Sequence, residues 1–286
     1  MGPLARPFSR SPRTARRTVW RIAAVVAGLL AAQACSPAAP PARTAANPFP
    51  SIVLDTQDPA AAGDGFTAVD ATPSQLVRVP PGQRALIWLG GYDNGTCTWG
   101  ENDDQVRYEF ARYALATDAR VLGYFLADEP NTDGHCPGAS TQVRNRAALV
   151  RSLDPNPRHI TLANIDDPTQ FAAFRDAVDV LATDPYPCVA GGGCDWSLIP
   201  SYIARLHAAG VVHYMGMLQA FSGEEWRWPT AAELQRMIEQ WRASDWCGAL
   251  TFSWSYQGGR LVDHPDLLAV LRGFNTRPPA PTTPCA

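Results

Sequence analysis

Six places in the chain put acids, amides or aromatic rings directly after a short apolar run. They are Tyr92-Asp93-Asn94, Asp128-Glu129-Pro130, Asn164, Asp184-Pro185-Tyr186, Gln219 and Trp254-Ser255-Tyr256. A positioned carboxyl group gives or takes a proton, an amide both donates to and accepts from hydroxyls, and a flat ring covers the apolar face of a sugar. Glu129, Asp184, Asp93 and Asp128 are therefore the candidate proton-transfer groups. Tyr92, Asn94, Asn164, Tyr186, Gln219, Trp254 and Tyr256 are the candidate substrate contacts. Each has a plainer competing role. Asp93 precedes Asn94-Gly95, a strong turn signal, and Asp184 before Pro185 suits a loop cap. Glu129 at a strand end could serve backbone donors, and Tyr186 and Trp254 could be core. Trp99, Trp226 and Trp228 fall in loops, where packing under a disulfide and contact with substrate explain them equally well.

These positions need a scaffold that brings strand ends together. From residue 84 onward, short apolar runs alternate with helical periods. Strands are expected at 84–91, 121–127, 159–163, 180–182, 211–218 and 249–254. Helical spacing follows on Val106, Phe110 and Tyr113, on Val143 to Leu153, and on Phe171, Phe174 and Val178. It recurs on Ile199 to Leu206, on Leu234 to Trp241 and on Leu267 to Phe274. Two shorter strands upstream, at 52–54 and 66–69, complete eight, with no convincing helix between them. Alternation of this kind predicts a parallel sheet covered by helices, and eight strands close it into a (β/α)8 TIM barrel, reduced in its first third. An open doubly wound sheet is the rival. In a barrel, the six clusters stand on one rim, at the C-terminal ends of the strands.

Gly123-Tyr124-Phe125-Leu126-Ala127-Asp128-Glu129-Pro130 resembles the fourth strand of the large clan of (β/α)8 glycoside hydrolases. There, the Glu of an Asn-Glu-Pro or Asp-Glu-Pro segment is the general acid/base. Gln219-Ala220-Phe221, Arg227-Trp228-Pro229-Thr230 and Phe252-Ser253-Trp254 resemble the segments at the seventh and eighth strands. The resemblance covers 84–274 and implies that Glu129 is the acid/base of a protein acting on a polysaccharide or oligosaccharide. It departs from the pattern at Gln219, where retaining members of the clan carry a nucleophilic Glu, because an amide cannot serve as that nucleophile. Four readings stay open: another carboxylate acts, with Asp184, Asp93 and Asp128 the best placed; the reaction inverts; Glu224 or Glu225 folds back; or the cleft binds carbohydrate without cleaving it.

The rest of the sequence bounds the partners. All 24 basic residues are Arg, which excludes lysine Schiff-base chemistry. No Gly-rich nucleotide fingerprint, Cys-x2-Cys pair or helical His pair occurs, so no organic cofactor and no metal is expected. The first 34 residues hold six Arg, no acid and an apolar run at 22–32, followed by Gln33-Ala34-Cys35. This reads as a secretory signal resembling a lipobox, with Cys35 acylated; plain secretion with cleavage near Ala34 is the alternative. After cleavage at Cys35, 18 basic residues face 27 acidic ones, which speaks against nucleic acid as a partner. The expected organisation is a signal at 1–34, a Pro/Ala-rich tether at 35–49, the barrel domain at 50–275 and a Pro-rich tail at 276–286. A lipid is the expected contact with a membrane. Setting Cys35 aside leaves six cysteines, an even number that predicts three disulfides in an oxidising compartment, with Cys188 and Cys194 the easiest pair.

Overall fold

The structure, a computed structural model, describes residues 49–286 except 57, 60–62, 133–134, 224, 280–283 and 286. The expected signal, Cys35 and nearly all of the tether lie outside the described residues.

Eight parallel strands form a closed barrel: β1 (Ser51–Val53), β2 (Ala68–Ala71), β3 (Arg84–Trp88), β4 (Val121–Asp128), β5 (Ile160–Asn164), β6 (Val180–Thr183), β7 (Tyr214–Gln219) and β8 (Gly248–Phe252). Each pairs with the next, and β8 closes on β1 through Ser51↔Ala249, Ile52↔Leu250 and Val53↔Thr251. That closure rules out the open sheet. It also explains why the strands read as continuous apolar runs: one face fills the barrel and the other meets helices. Ile52, Leu86, Phe125, Leu162, Val180, Met215 and Leu250 belong to the inner cluster. Val53, Ile87, Tyr124, Leu181 and Leu218 join the outer one.

The helices α1 (Asp103–Tyr113), α2 (Ala139–Leu153), α3 (Phe171–Phe174), α4 (Leu198–Ala208), α5 (Ala231–Arg242) and α6 (Pro265–Thr276) cover that outer layer. Capping boxes start two of them: Asn102 with Gln105 at α1, and Thr230 with Glu233 at α5. Gly216 in β7 leaves room for Trp241 of α5, since a Cβ there would lie 2.4 Å from the indole. The third expected helix is only one turn. Asp179, just past it, accepts from Thr161 N and Oγ1 and pulls the chain into β6. The first third is thin as expected, with a single 3-10 turn, Pro73–Arg78, between β2 and β3 among the described residues.

All six expected cysteines pair: Cys97–Cys136, Cys188–Cys194 and Cys247–Cys285. The last pins the tail beneath the barrel, where both cysteines join the inner core. The first two brace loops at the opposite, C-terminal rim. Three disulfides point to an extracellular or secreted protein. No helix among the described residues is long and apolar enough to cross a membrane.

Candidate active site

At the C-terminal rim the strand ends enclose a cleft of about 530 Å³. Its acidic floor comes from Asp128, Glu129 and Asp184, with Asn164 beside them and Asp55 and Asp70 at the ends of β1 and β2. Aromatic walls face these acids. Trp88 meets Phe125 edge-on at 4.7 Å, and Phe221 packs within 4.9–5.7 Å of Tyr186, Trp226, Phe252 and Tyr256.

Glu129 follows β4 directly, and its position depends on a register irregularity. Between Phe125 and Ala127 the pairing of β4 with β5 shifts by one residue, after which Asp128 pairs with Asn164. Such a bulge re-aims the side chains that follow it. Glu129 itself has a left-handed backbone, φ 47°, which a residue with a Cβ adopts at a cost of about 1–3 kcal/mol. Both of its backbone polar groups are held there. Its N–H donates to Asn164 O at 2.9 Å, and its C=O accepts from Asn94 Nδ2 at 2.7 Å. Asn94 Oδ1 also accepts from Asn131 N at 2.8 Å, so one side chain grips both sides of Pro130. The Cys97–Cys136 disulfide fastens the Asn94 loop to the segment after β4.

The Glu129 carboxyl hydrogen-bonds Asp184, the residue after β6. Crowding by the walls pushes the pKa of Glu129 up, and the charges of Asp184 and Asp128 push it further. Asp184 is raised by the same crowding and by Asp128. Its hydrogen bonds with Asn164 and Glu129 pull the other way without cancelling that rise. The two carboxyls therefore titrate as a pair that keeps a shared proton to higher pH than a lone carboxylate would. Glu129 is more than a third exposed to the open cleft, so cleft water tempers this effect. Asp128 is raised by burial of its surroundings, while its Oδ1 accepts from Asn164 Nδ2 at 3.0 Å. That bond fixes both groups.

The expected residues divide into two sets. Glu129, Asp184, Asp128, Asn164, Tyr186 and Tyr256 all line the cleft. Asp93, Tyr92, Asn94, Gln219 and Trp254 lie outside its lining, and each has a physical reason. Asp93 is exposed and caps its own turn, accepting from Gly95 N at 2.7 Å and Thr96 Oγ1 at 2.9 Å; these bonds hold its pKa down. Tyr92 is buried against Trp99. Asn94 is spent on the Glu129 turn. Gln219 is fully buried: Oε1 accepts from Cys188 N at 3.0 Å, and Nε2 donates to Cys188 O at 2.9 Å and Arg227 O at 2.8 Å. It is a strut under the Cys188–Cys194 loop. Trp254 is 8% exposed and packs in the outer core, its backbone bridging Leu54 and Leu261; Phe252 faces the cleft in its stead. Of the loop tryptophans, Trp226 lines the cleft. Trp99 lies under the Arg146 guanidinium, and Trp228 stacks on His264. Glu225 is exposed outside the lining, and Glu224 lies outside the described residues.

Sequence reasoning missed Asp55, Asp70, Trp88, Phe125, Met217 and Phe252 as lining residues. The strand-end rule, applied to β1 and β2 as firmly as to the later strands, would have found Asp55 and Asp70. Nothing local marks the inward-facing Phe125 or Met217.

No protein-family model matches the sequence, and no curated protein matches it. Solved structures share its architecture. An endo-β-1,3-glucanase of family GH128 from Amycolatopsis mediterranei superposes with a TM-score of 0.51 at 14% identity, covering 79% of this chain and 99% of that one. A GH128 endo-β-1,3-glucanase from Pseudomonas viridiflava gives 0.51 at 15% identity, covering 81% and 98%. A GH18 chitinase from Pseudoalteromonas aurantia gives 0.51 at 12% identity, covering 79% and 99%. At such identities the likeness is one of fold, and the chain has the closed (β/α)8 barrel seen in these glycoside hydrolases.

Proposed function

We propose that this chain is an extracytoplasmic O-glycosyl hydrolase acting on a polysaccharide or oligosaccharide, held at the outer face of the cell membrane by a lipid on Cys35. The observation that carries the enzymatic part is Glu129. It is clamped in a strained turn at the end of β4, and its carboxyl lies against that of Asp184 on the floor of a ring-walled cleft. A strained backbone with doubly secured polar groups is costly, and proteins keep such features where side-chain placement matters to chemistry. Retention of a proton near neutral pH suits Glu129 to protonating a glycosidic oxygen as the bond breaks. The rings match sugar faces. Among the described lining residues, five carry carboxylic side chains and none is basic. Neutral or amino sugars fit that field, whereas uronate or sulfated chains are repelled.

The test uses the full-length exported protein and its Glu129→Gln variant on laminarin, curdlan, chitin and chitosan, with released sugars read by mass. Product from the wild type, reduced about 100-fold or more in the variant, supports hydrolysis with Glu129 as acid. One observation favours a second reading, a barrel that binds carbohydrate without cleaving it. Gln219 takes the place of the retaining nucleophile, and Asp184 touches Glu129, closer than the roughly 5 Å or more that separates paired glycosidase carboxylates. Binding of one of these polymers with no cleavage by the wild type would establish that reading.

A further inference from the structure

Resting on the hydrolase reading, we propose that Asp55 is the second catalytic carboxylate, the general base that activates water, so that hydrolysis inverts the anomeric centre.

Asp184 cannot fill this place. It hydrogen-bonds Glu129, which leaves no room for water and a sugar between them. Asp128 is tied to Asn164 next to Glu129, on the same side of the cleft. Asp70 is consumed as an acceptor: its carboxylate takes Asp55 N at 3.0 Å, Thr56 N at 3.0 Å and Thr56 Oγ1 at 2.7 Å. Of the five acids among the described lining residues, Asp55 is thus the one whose carboxylate takes part in no such bond with another described residue, half-buried and facing the cleft.

The backbone of Asp55 repeats what is seen at Glu129. Among the described cleft-lining residues, these two alone are non-glycine residues with left-handed backbones, φ 57° at Asp55 and 47° at Glu129. Both have N–H and C=O secured. The Asp55 amide donates to Asp70 Oδ2, and its carbonyl accepts from Ser255 Oγ at 3.1 Å. Two strained, doubly held acids in one cleft are unlike the other acids there.

Their placement is nearly opposed. In the ring order, β1 stands three strands from β4 in one direction and five in the other. Glu129 leaves β4 with its amide bonded to the end of β5. Eight strands spaced about 4.8 Å apart and tilted by about 36° make a ring roughly 15 Å across. Strand ends three apart in that ring are roughly 14 Å apart, and an Asp and a Glu reaching inward from them leave roughly 8 Å between their carboxyl groups, within the range of about 6.5–9.5 Å for inverting enzymes and beyond the 5–5.5 Å of retaining ones. In the step itself, Asp55 takes a proton from water while the water oxygen bonds to the anomeric carbon. The bond from that carbon to the leaving oxygen breaks, and Glu129 gives that oxygen its proton. The products are a hemiacetal of inverted configuration and an alcohol. Protons return through solvent.

The experiment takes the polymers above and follows the first-formed anomer by proton NMR with the wild-type protein. It then compares turnover by Asp55→Asn, with its thermal melt as the check on folding. The expected results are the anomer opposite to the linkage cleaved and a loss of at least 100-fold in the folded variant. A retained anomer, or a folded variant turning over within about threefold of wild type, overturns the role of Asp55 and leaves the hydrolase reading standing. If Asp55→Asn does not fold, the stereochemistry of the wild type decides alone. No cleavage of any polymer by the wild type overturns both.

Discussion

Gln219→Glu restores the residue type that retaining glycoside hydrolases carry at this strand end, and the structure predicts damage rather than gain. The amide of Gln219 is fully buried and all three of its hydrogen bonds go to backbone groups of the Cys188 and Arg227 segments. An ionised Glu keeps the bond from Cys188 N but turns an oxygen toward two carbonyl oxygens, of which Cys188 O still accepts from Arg227 N at 3.3 Å while Arg227 O is left without its donor. An abandoned acceptor costs about 1–3 kcal/mol, so the expected loss at neutral pH is about 1–3 kcal/mol. For a domain of this size, with about 2–4 °C of Tm per kcal/mol, that is a fall of roughly 2–12 °C. A protonated Glu recovers one donor, so its folded pKa is raised. The variant therefore loses stability as pH climbs from the unfolded Glu pKa of about 4.3 toward that raised value, and its deficit is smaller near pH 4 than at pH 7. Thermal melts of both proteins across this range provide the measurement. A variant as stable as wild type at pH 7, or one with new or increased hydrolysis, would refute the strut assignment and restore Gln219 as the trace of a lost nucleophile.

Three further outcomes are expected. In Asp184→Asn, Glu129 loses the neighbouring negative charge that helps to raise its pKa, so the alkaline limb of the pH–rate profile should move to lower pH; an unmoved limb would separate Asp184 from the acid. Replacing Cys97 and Cys136 by Ser together opens a loop of sequence separation 39, worth about 4 kcal/mol on the chain-entropy estimate. Urea unfolding should show a loss of this order, and mass spectrometry of the wild type without reduction should find no free thiol among the six cysteines. Cys35→Ala should release the protein from the membrane fraction of an expressing bacterium, and retention of the variant there would count against the lipid anchor.

The barrel was legible because its signals are local. Each strand from β3 to β8 is a run of buried apolar residues of the right length, and each long helix repeats its apolar face every three or four residues. The even cysteine set likewise predicted three bridges. The end of β4 was legible for a similar reason, since Asp128-Glu129-Pro130 closes an unbroken apolar strand. What each strand-end side chain faces was not local. The shifted pairing between Phe125 and Ala127 governs how Asp128 and Glu129 leave β4, and a strict two-residue alternation does not contain it. Asn94 and Gln219 read as sugar-binding amides, yet their partners are backbone groups up to 37 residues away that only the closed barrel brings near.

The sequence by itself determined the eight strands, the helical cover and the acid after β4, because hydrophobic period and strand length act over a few neighbouring residues. Only the tertiary structure decided which acids meet. Barrel closure brings Glu129 to Asp184 and puts Asp55, from β1, into the lining of the same cleft, since distance around a ring of strands is not distance along the chain.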